Sequence, residues 1–215
     1  MPLLLTKKIS PSGIIGVWNL QETEEELLAL AELGSDEKET AARMPVGLKR
    51  RQFIGVRALL RALHEGGSES RIVYDEFHKP SLQNSTTKIS VSHSFHYVAL
   101  IMDSLHDTGI DIEQVRPQVD RLPGKFMSDA EMGSLQPGNR SEQLTIFWAV
   151  KEALYKLYGK KNLIFRENLI IDPFSCGKSG EVTARILTTD FDKKYFLRYE
   201  QFDGFVLVYV VRHIH

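Results

Sequence analysis

The sequence predicts an α+β protein made of two similar α+β subdomains in a pseudo-twofold arrangement. The first observation behind this prediction is that the order strand, short helix, long helix, strands occurs twice along the chain. The second is size, since 215 residues, 42% of them hydrophobic and 26% charged, suffice for one large or two small globular domains. We place the N-terminal subdomain at 1–108 and the C-terminal subdomain at 109–215.

The elements of the first half follow from apolar patterning. GIIGVWNL predicts a strand and ETEEELLALAE a helix. GLKRRQFIGVRALLRALHEGG predicts a longer helix that begins after Pro45 and ends at Gly66-Gly67. Three strand-like segments follow, RIVY, KISV and YVALIM.

The second half repeats this order. GIDIEQV predicts a strand, residues 125–135 a short helix, and SEQLTIFWAVKEALYKLYG a long helix with Ser141 as its N-cap and Gly159 at its C-terminal end. The strand-like segments ENLIID, EVTARIL, KKYFLRYEQF and FVLVYVV follow, and Asp203-Gly204 predicts a hairpin between the last two. Two packed halves would create a cleft, which is a favoured place for a ligand.

Charge and composition narrow the functional classes. The formal net charge is -1, with 27 basic and 28 acidic residues, so no global charge attracts nucleic acid or an anionic membrane. The single cysteine, Cys176, excludes an internal disulfide and a multi-cysteine zinc site. MPLLLTKKIS has too short an apolar run for a signal peptide, and FVLVYVV is too short to span a bilayer. We therefore expect a cytoplasmic monomer with no membrane or nucleic-acid partner.

Three acidic residues suggest a metal site. Asp111 and Glu113 alternate with isoleucines in GIDIE, so a strand would point both carboxylates to one face. On the second long helix, Trp148, Glu152 and Lys156 recur at i, i+4 and i+8, away from the apolar stripe. An ordinary solvated face with a Glu152–Lys156 pair, contributing about 0.2 to 0.5 kcal/mol, would also explain this spacing. If the helix instead lies against the strand, the three carboxylates form an anionic cluster that suits Mg²⁺.

Basic residues in the first half could bind phosphate. Arg50, Arg57 and Arg61 lie at i, i+7 and i+11 on the first long helix, either as a solubilising surface or as partners of phosphate groups. His93 lies between two serines in SVSHS, at a strand end where N–H groups and hydroxyls could bind an anion. Lys79 precedes Pro80, which fixes an extended loop.

Together these motifs resemble the 4'-phosphopantetheinyl transferases, specifically the larger pseudo-duplicated class that activates peptide and polyketide synthetases. GIDIE resembles the first half of the family signature, and WAVKEALYK matches the second half, W-[ACST]-x-K-E-[AS]-x-x-K, at every specified position. SVSHS and FMSDAE are similar to further family stretches, so the resemblance covers roughly residues 79–163.

The resemblance implies a reaction and a set of catalytic residues. The enzyme would transfer the 4'-phosphopantetheine arm of coenzyme A to a serine of an apo acyl or peptidyl carrier protein and release adenosine 3',5'-bisphosphate. Asp111, Glu113 and Glu152 would bind Mg²⁺ against the coenzyme A diphosphate. Glu152, or a water held by the cluster, would be the base, and Lys156 would reach the diphosphate. Lys151 would point aside and be structural.

The resemblance also implies contacts with coenzyme A and the carrier. Arg57, Lys79 and His93, with Lys156, would bind coenzyme A, and the carrier would dock around Phe126–Glu131. Two loops depart from the family pattern. His78 replaces the glycine of the family's G-K-P loop, and the usual G-K-G-L becomes the longer Gly159–Leu163 segment without a second glycine.

Two other functions use the same residues. A Mg²⁺-dependent phosphoesterase acting on coenzyme A or a related nucleotide would use the same acids with water as the nucleophile. A noncatalytic module would bind nucleic acid through the arginine-rich helix, although the chain lacks the global positive charge and the interleaved aromatic residues that such binding favours.

Overall fold

The computed structural model describes residues 3–64 and 71–214, and it divides the chain into two compact units, Met1–Asp107 and Thr108–His215. Both units combine helices with antiparallel β-sheet, so the predicted α+β class is confirmed. The division lies one residue before the predicted boundary. The predicted helix end at Gly66-Gly67 lies outside the described residues.

The N-terminal unit, as far as it is described, contains six strands and three helices. The strands are β1 (Leu3–Lys8), β2 (Gly13–Asn19), β3 (Ile72–Tyr74), β4 (Pro80–Leu82), β5 (Lys88–Ser94) and β6 (Tyr97–Asp103). The helices are α1 (Glu24–Ala31), α2 (Ser35–Arg43) and α3 (Leu48–Leu63). The strands form one sheet in the order β1-β2-β6-β5-β4-β3. Strands β1 and β4 and helix α2 were not predicted from the sequence.

The core of this unit lies between α3 and the sheet. Ile54, Leu59 and Leu63 of α3 are buried with Val98 and Leu100 of β6 in one apolar cluster. Ile54 and Leu63 are nine positions apart, which is half a turn around the helix, so α3 is buried on more than one side. Helix α1 packs against α3, which leaves the arginines of α3 beside the helices that precede it.

The C-terminal unit contains five strands and four α-helices within its described part. The strands are β7 (Ile110–Gln114), β8 (Leu169–Ile171), β9 (Ser179–Leu187), β10 (Asp192–Phe202) and β11 (Phe205–Ile214). The helices are α4 (Pro123–Phe126), α5 (Asp129–Gly133), α6 (Arg140–Tyr158) and α7 (Phe165–Asn168), and a 3-10 turn spans Pro117–Arg121. The sheet order is β7-β11-β10-β9-β8, so β7 is an edge strand.

Turn and cap residues explain how these elements begin and end. Asp203 and Gly204, with φ angles of 48° and 75°, form the predicted hairpin turn between β10 and β11. Gly159, with a φ of 67°, ends α6 as predicted. The prediction of Ser141 as N-cap is wrong, because α6 begins at Arg140 with Asn139 as its N-cap, and the Ser141 hydroxyl donates to Asp120 instead.

The single helix predicted at 125–135 is two short helices, α4 and α5. Ser128 separates them because it is the N-cap of α5, where its hydroxyl accepts the N–H of Glu131 at 3.3 Å. None of the helices in the described ranges combines the length and apolar character needed to cross a bilayer.

Candidate functional site

The two acids of β7 point towards helix α6. Asp111 is opposite Val208 and Glu113 is opposite Val206 in the antiparallel pairing of β7 with β11. Directly opposed residues project to the same side of a sheet, and Val206 and Val208 belong to the apolar cluster that α6 covers. The alternation read from GIDIE therefore places both carboxylates beneath the helix.

Gly109, immediately before β7, lets the strand approach α6 closely. A Cβ atom at this position would lie 2.0 Å from the carbonyl oxygen of Ala153 and 3.1 Å from Cβ of Leu157. The carbonyl belongs to the helix backbone and cannot rotate away, so any larger residue must push the helix and strand apart. The glycine at the start of GIDIE is thus required by the contact between strand and helix.

Two side chains of α6 bind the two acids directly. The indole N–H of Trp148 donates to Oε1 of Glu113 at 3.1 Å, and Nζ of Lys156 donates to Oδ1 of Asp111 at 2.7 Å. Glu152 lies midway between these residues, four positions from each, on the same face of the helix. The face containing Trp148, Glu152 and Lys156 is therefore packed along the strand, which excludes the interpretation that it is only a solvated surface.

The pKa of Glu152 is raised by burial and by the negative charges near it. Burial raises it most, the nearby Asp111 and Glu113 raise it further, and Lys156 partly opposes them, so that the pKa rises to about 7. The three carboxylates are thus close enough to influence one another.

The donor set fits Mg²⁺ in its chemistry, because hard divalent ions prefer carboxylate oxygens. As the side chains stand, the described residues include no group of three or more His, Cys, Asp or Glu arranged as metal ligands. Asp111 and Glu113 each direct one oxygen to a donor on α6. A metal bound by all three acids would compete with the Lys156 ammonium for the negative charge of Asp111.

Lys151 is structural, as expected, but its partner was not predicted. Its side chain is 0% exposed, and Nζ donates to Glu131 Oε2 at 2.7 Å and to the carbonyls of Phe165 and Leu169 at 3.1 and 2.7 Å. Burial lowers the pKa of Lys151, and Glu131 opposes that change. Glu131 also accepts the N–H of Ile171 at 2.9 Å, so this buried pair joins α5, α6, α7 and β8.

Only part of the segment Phe126–Glu131, where the sequence predicts carrier docking, is exposed, namely Asp129 and Ala130. Phe126, Met127 and Glu131 are buried, because they pack under α6 or pair with Lys151. The exposed apolar residues near this segment are Leu122 and Ile164.

Three of the four arginines of α3 pair with acids of their own unit. Arg57 is 6% exposed, and its Nε donates to Glu37 at 3.1 Å while its guanidinium stacks 3.6 Å from the Phe53 ring centroid. Arg50 pairs with Glu24 at 2.7 Å, and Arg61 pairs with Glu32. These pairs reduce the positive charge that α3 could offer to nucleic acid or to a free phosphate.

His93 is exposed on β5, but the serines on either side of it lie on the other face of the strand. Ser92 and Ser94 are buried and, because side chains alternate along a strand, they project to the face opposite His93. The expected anion site built from His93 with these two hydroxyls is therefore wrong in that detail.

The loop before Lys79 has the backbone conformation that glycine adopts most easily, although no glycine is present there. His78 has a φ of 63°, in the left-handed region, and Asp75 Oδ1 accepts the N–H groups of Phe77 and Lys79 at 2.9 and 2.8 Å. Burial lowers the pKa of Lys79, with Asp107 opposing it. Asn162 similarly has a φ of 74° in the loop after α6, so an asparagine supplies the left-handed conformation there without a second glycine.

Comparison with known proteins agrees with this geometry. Residues 107–210 match the family model of the 4'-phosphopantetheinyl transferase superfamily. The matched residues include all three acids and helix α6, and over this part of the chain the resemblance to the superfamily found in the sequence is confirmed.

Individual relatives carry the same family name. The 4'-phosphopantetheinyl transferase AcpT of Escherichia coli O157:H7 is 31% identical over 121 residues, which are 54% of this chain and 61% of that protein. The AcpT protein of Salmonella typhi is 31% identical over 125 residues, 55% of this chain and 64% of that protein. The chain thus spans less than two thirds of the length of these curated relatives.

Proposed function

We propose that this protein transfers the 4'-phosphopantetheine arm of coenzyme A to a serine of an apo acyl or peptidyl carrier protein. The reaction depends on Mg²⁺ and releases adenosine 3',5'-bisphosphate. The observation that carries this proposal is the group formed by Asp111 and Glu113 of β7 with Glu152 of α6, in which burial, and after it repulsion from the other two acids, raise the pKa of Glu152 to about 7. The superfamily match over the same residues supports it.

In this proposal the three carboxylates would hold Mg²⁺, and the bound ion would supply charge neutralisation and orientation at the diphosphate. Trp148 fixes the orientation of Glu113 through its indole N–H. Lys156, one turn beyond Glu152, donates to a diphosphate oxygen. These roles use side chains that one helix and one strand already bring together.

The chemical step joins the carrier serine to the arm. The serine oxygen forms a bond to the phosphorus attached to the pantetheine arm, and the bond from that phosphorus to the bridging oxygen breaks. Glu152, or a water held by the cluster, accepts the serine proton. A pKa near neutrality in the free cluster is compatible with proton exchange at physiological pH.

Residues of the N-terminal unit would bind the rest of coenzyme A. His93 is exposed and Lys79 follows a constrained loop, so both can offer positive charge or a hydrogen bond to phosphate oxygens. Arg57 can contribute only if it shares its guanidinium with Glu37, its present partner. We therefore propose His93 and Lys79 as the main phosphate contacts of this unit.

An acidic carrier would dock beside the carboxylates. Leu122 and Ile164 are 40% and 53% exposed, and the exposed Lys125 and Lys160 lie close to Leu122 and Ile164, respectively, in the sequence. Helices α4 and α7, which adjoin these residues, contact one another. An apolar centre flanked by lysines is complementary to an acidic helical partner. We also propose that the protein acts as a cytoplasmic monomer without a membrane or nucleic-acid partner.

Mass spectrometry of an apo carrier protein incubated with this protein, coenzyme A and MgCl₂ tests the proposal. We expect the carrier to gain the mass of one phosphopantetheine group, and we expect EDTA or Asp111→Asn to abolish the gain. Asp129→Asn, which changes an exposed carboxylate of α5, is the matched control and should retain activity. Cleavage of coenzyme A without a carrier would instead identify a phosphoesterase. Salt-sensitive retention on DNA without either reaction would identify a nucleic-acid-binding module.

A further inference from the structure

The ion pair between Lys156 and Asp111 joins a fixed residue to a movable one. Nζ of Lys156 lies 2.7 Å from Oδ1 of Asp111, and the two side chains are 26% and 4% exposed, respectively. Asp111 is held in the ladder of β7 with β11. The lysine has a flexible four-carbon stem and reaches solvent, so its ammonium can leave the carboxylate without any movement of α6.

Resting on the proposed function, we propose that the Lys156 ammonium is an internal stand-in for the divalent cation. It offsets part of the negative charge of the carboxylate cluster before the ion binds, and it moves from Asp111 to the diphosphate when coenzyme A and the ion arrive. Lys156 therefore does more than contact the substrate, because it couples the binding of the metal to the binding of coenzyme A.

Competition for one carboxylate is the physical basis of this proposal. A divalent ion coordinated by Asp111 would lie within a few ångströms of an ammonium bonded to the same carboxylate, and two cations at that separation repel each other strongly in a partly buried site. Metal binding therefore weakens the attraction between the lysine and its anionic partner and favours its release. A diphosphate offers the displaced ammonium new anionic oxygens. Each ligand thus makes the binding of the other more favourable, and this coupling is reciprocal.

A second lysine on the same helix shows why only Lys156 can exchange partners. Lys151 is 0% exposed and its ammonium donates to Glu131 and to two backbone carbonyls. Those three acceptors fix it in place. Lys156 differs because it is partly exposed and directed at the carboxylate cluster.

Calorimetric titration of MnCl₂ into the metal-free protein tests the inference without any turnover. We compare the wild type with Lys156→Met and Lys156→Gln, and with Lys161→Met, which removes an exposed lysine beyond the end of α6. In the absence of coenzyme A, both Lys156 variants should bind Mn²⁺ about tenfold more tightly than the wild type. Lys161→Met should stay within about twofold of the wild type. Added coenzyme A should tighten Mn²⁺ binding more in the wild type than in either Lys156 variant.

The outcomes separate this inference from the proposed function. Mn²⁺ affinities in the Lys156 variants that equal the wild-type value, or fall below it, would overturn the exchange while leaving the transfer reaction intact. Absence of Mn²⁺ binding in every folded variant would overturn the metal centre itself, and with it both proposals. Circular dichroism of each variant in the titration buffer establishes that it is folded.

Discussion

Replacement of Gly109 by alanine tests whether the approach of β7 to α6 creates the site. The added Cβ would lie 2.0 Å from the Ala153 carbonyl oxygen, and Cβ atoms essentially never approach another heavy atom closer than 3.0 Å. The helix and strand must therefore separate by about 1 Å at this point, unless the backbone distorts locally. The displacement falls between Asp111 and Glu152, which these two elements carry.

Both stability and activity should respond to this displacement. Overpacking of a close contact typically lowers the free energy of unfolding by about 1 to 3 kcal/mol. A misplacement of about 1 Å at a catalytic site can lower the rate by about 100-fold. We thus expect Gly109→Ala to remain folded, to lose about 1 to 3 kcal/mol in urea unfolding, and to lose at least 90% of the Mg²⁺-dependent transfer rate, which is about a tenfold reduction.

Gly133→Ala is the matched control. An added Cβ at Gly133, in α5, meets no atom within 4 Å. This variant should unfold at the same urea concentration as the wild type or a slightly higher one, because alanine restricts the unfolded chain. If Gly109→Ala matched Gly133→Ala in both stability and transfer rate, the claim that strand–helix contact positions the acids would be refuted.

Substitutions at Glu152, Lys151 and His78 test the effects of buried charge and of the left-handed backbone conformation. For Glu152, with a pKa raised to about 7 in the folded state, the native protein binds more protons than the unfolded chain between about pH 4.5 and 7, so stability falls as pH rises through that interval. In EDTA, the free energy of unfolding of Glu152→Gln should equal that of the wild type near pH 4.5 and exceed it by on the order of 3 kcal/mol at most at pH 8. Free energies from urea unfolding that run parallel for the two proteins across this pH range would contradict the prediction. Lys151→Met should lower the free energy of unfolding by about 3 to 5 kcal/mol, because it leaves Glu131 buried without its ammonium, and a loss in urea unfolding below about 1 kcal/mol would count against it. His78→Val should lower the melting temperature more than His78→Gly, since a β-branched residue tolerates the left-handed backbone least, and equal melting temperatures would reject the assigned φ.

Periodicity in the sequence predicted the directions of side chains well. Alternation in GIDIE placed Asp111 and Glu113 on one face, and helical spacing placed Trp148, Glu152 and Lys156 together. Both results follow from the repeat of a strand or a helix, which depends on local backbone geometry alone. The Asp203-Gly204 turn was predictable for the same reason, since its two positive φ angles are a local requirement.

Tertiary partners were not predictable in the same way. The pairing of Lys151 with Glu131 joins residues 20 positions apart, and no local pattern specifies it. Serine is a common N-cap residue, but the Ser141 hydroxyl donates to Asp120, which lies near it only in the folded chain. Phe126 was expected at a surface and is buried, because α6 covers it. The strands β1 and β4 were missed because pairing with neighbouring strands, more than their own composition, stabilises them.

Anomalous scattering from a crystal grown with coenzyme A and MnCl₂ tests the central claim most directly. Data collected at the manganese absorption edge should show one peak within coordination distance of oxygens from Asp111, Glu113 and Glu152, with the Lys156 ammonium moved to the diphosphate. A manganese peak bound elsewhere, or bound to the diphosphate without contact to these carboxylates, would contradict the account.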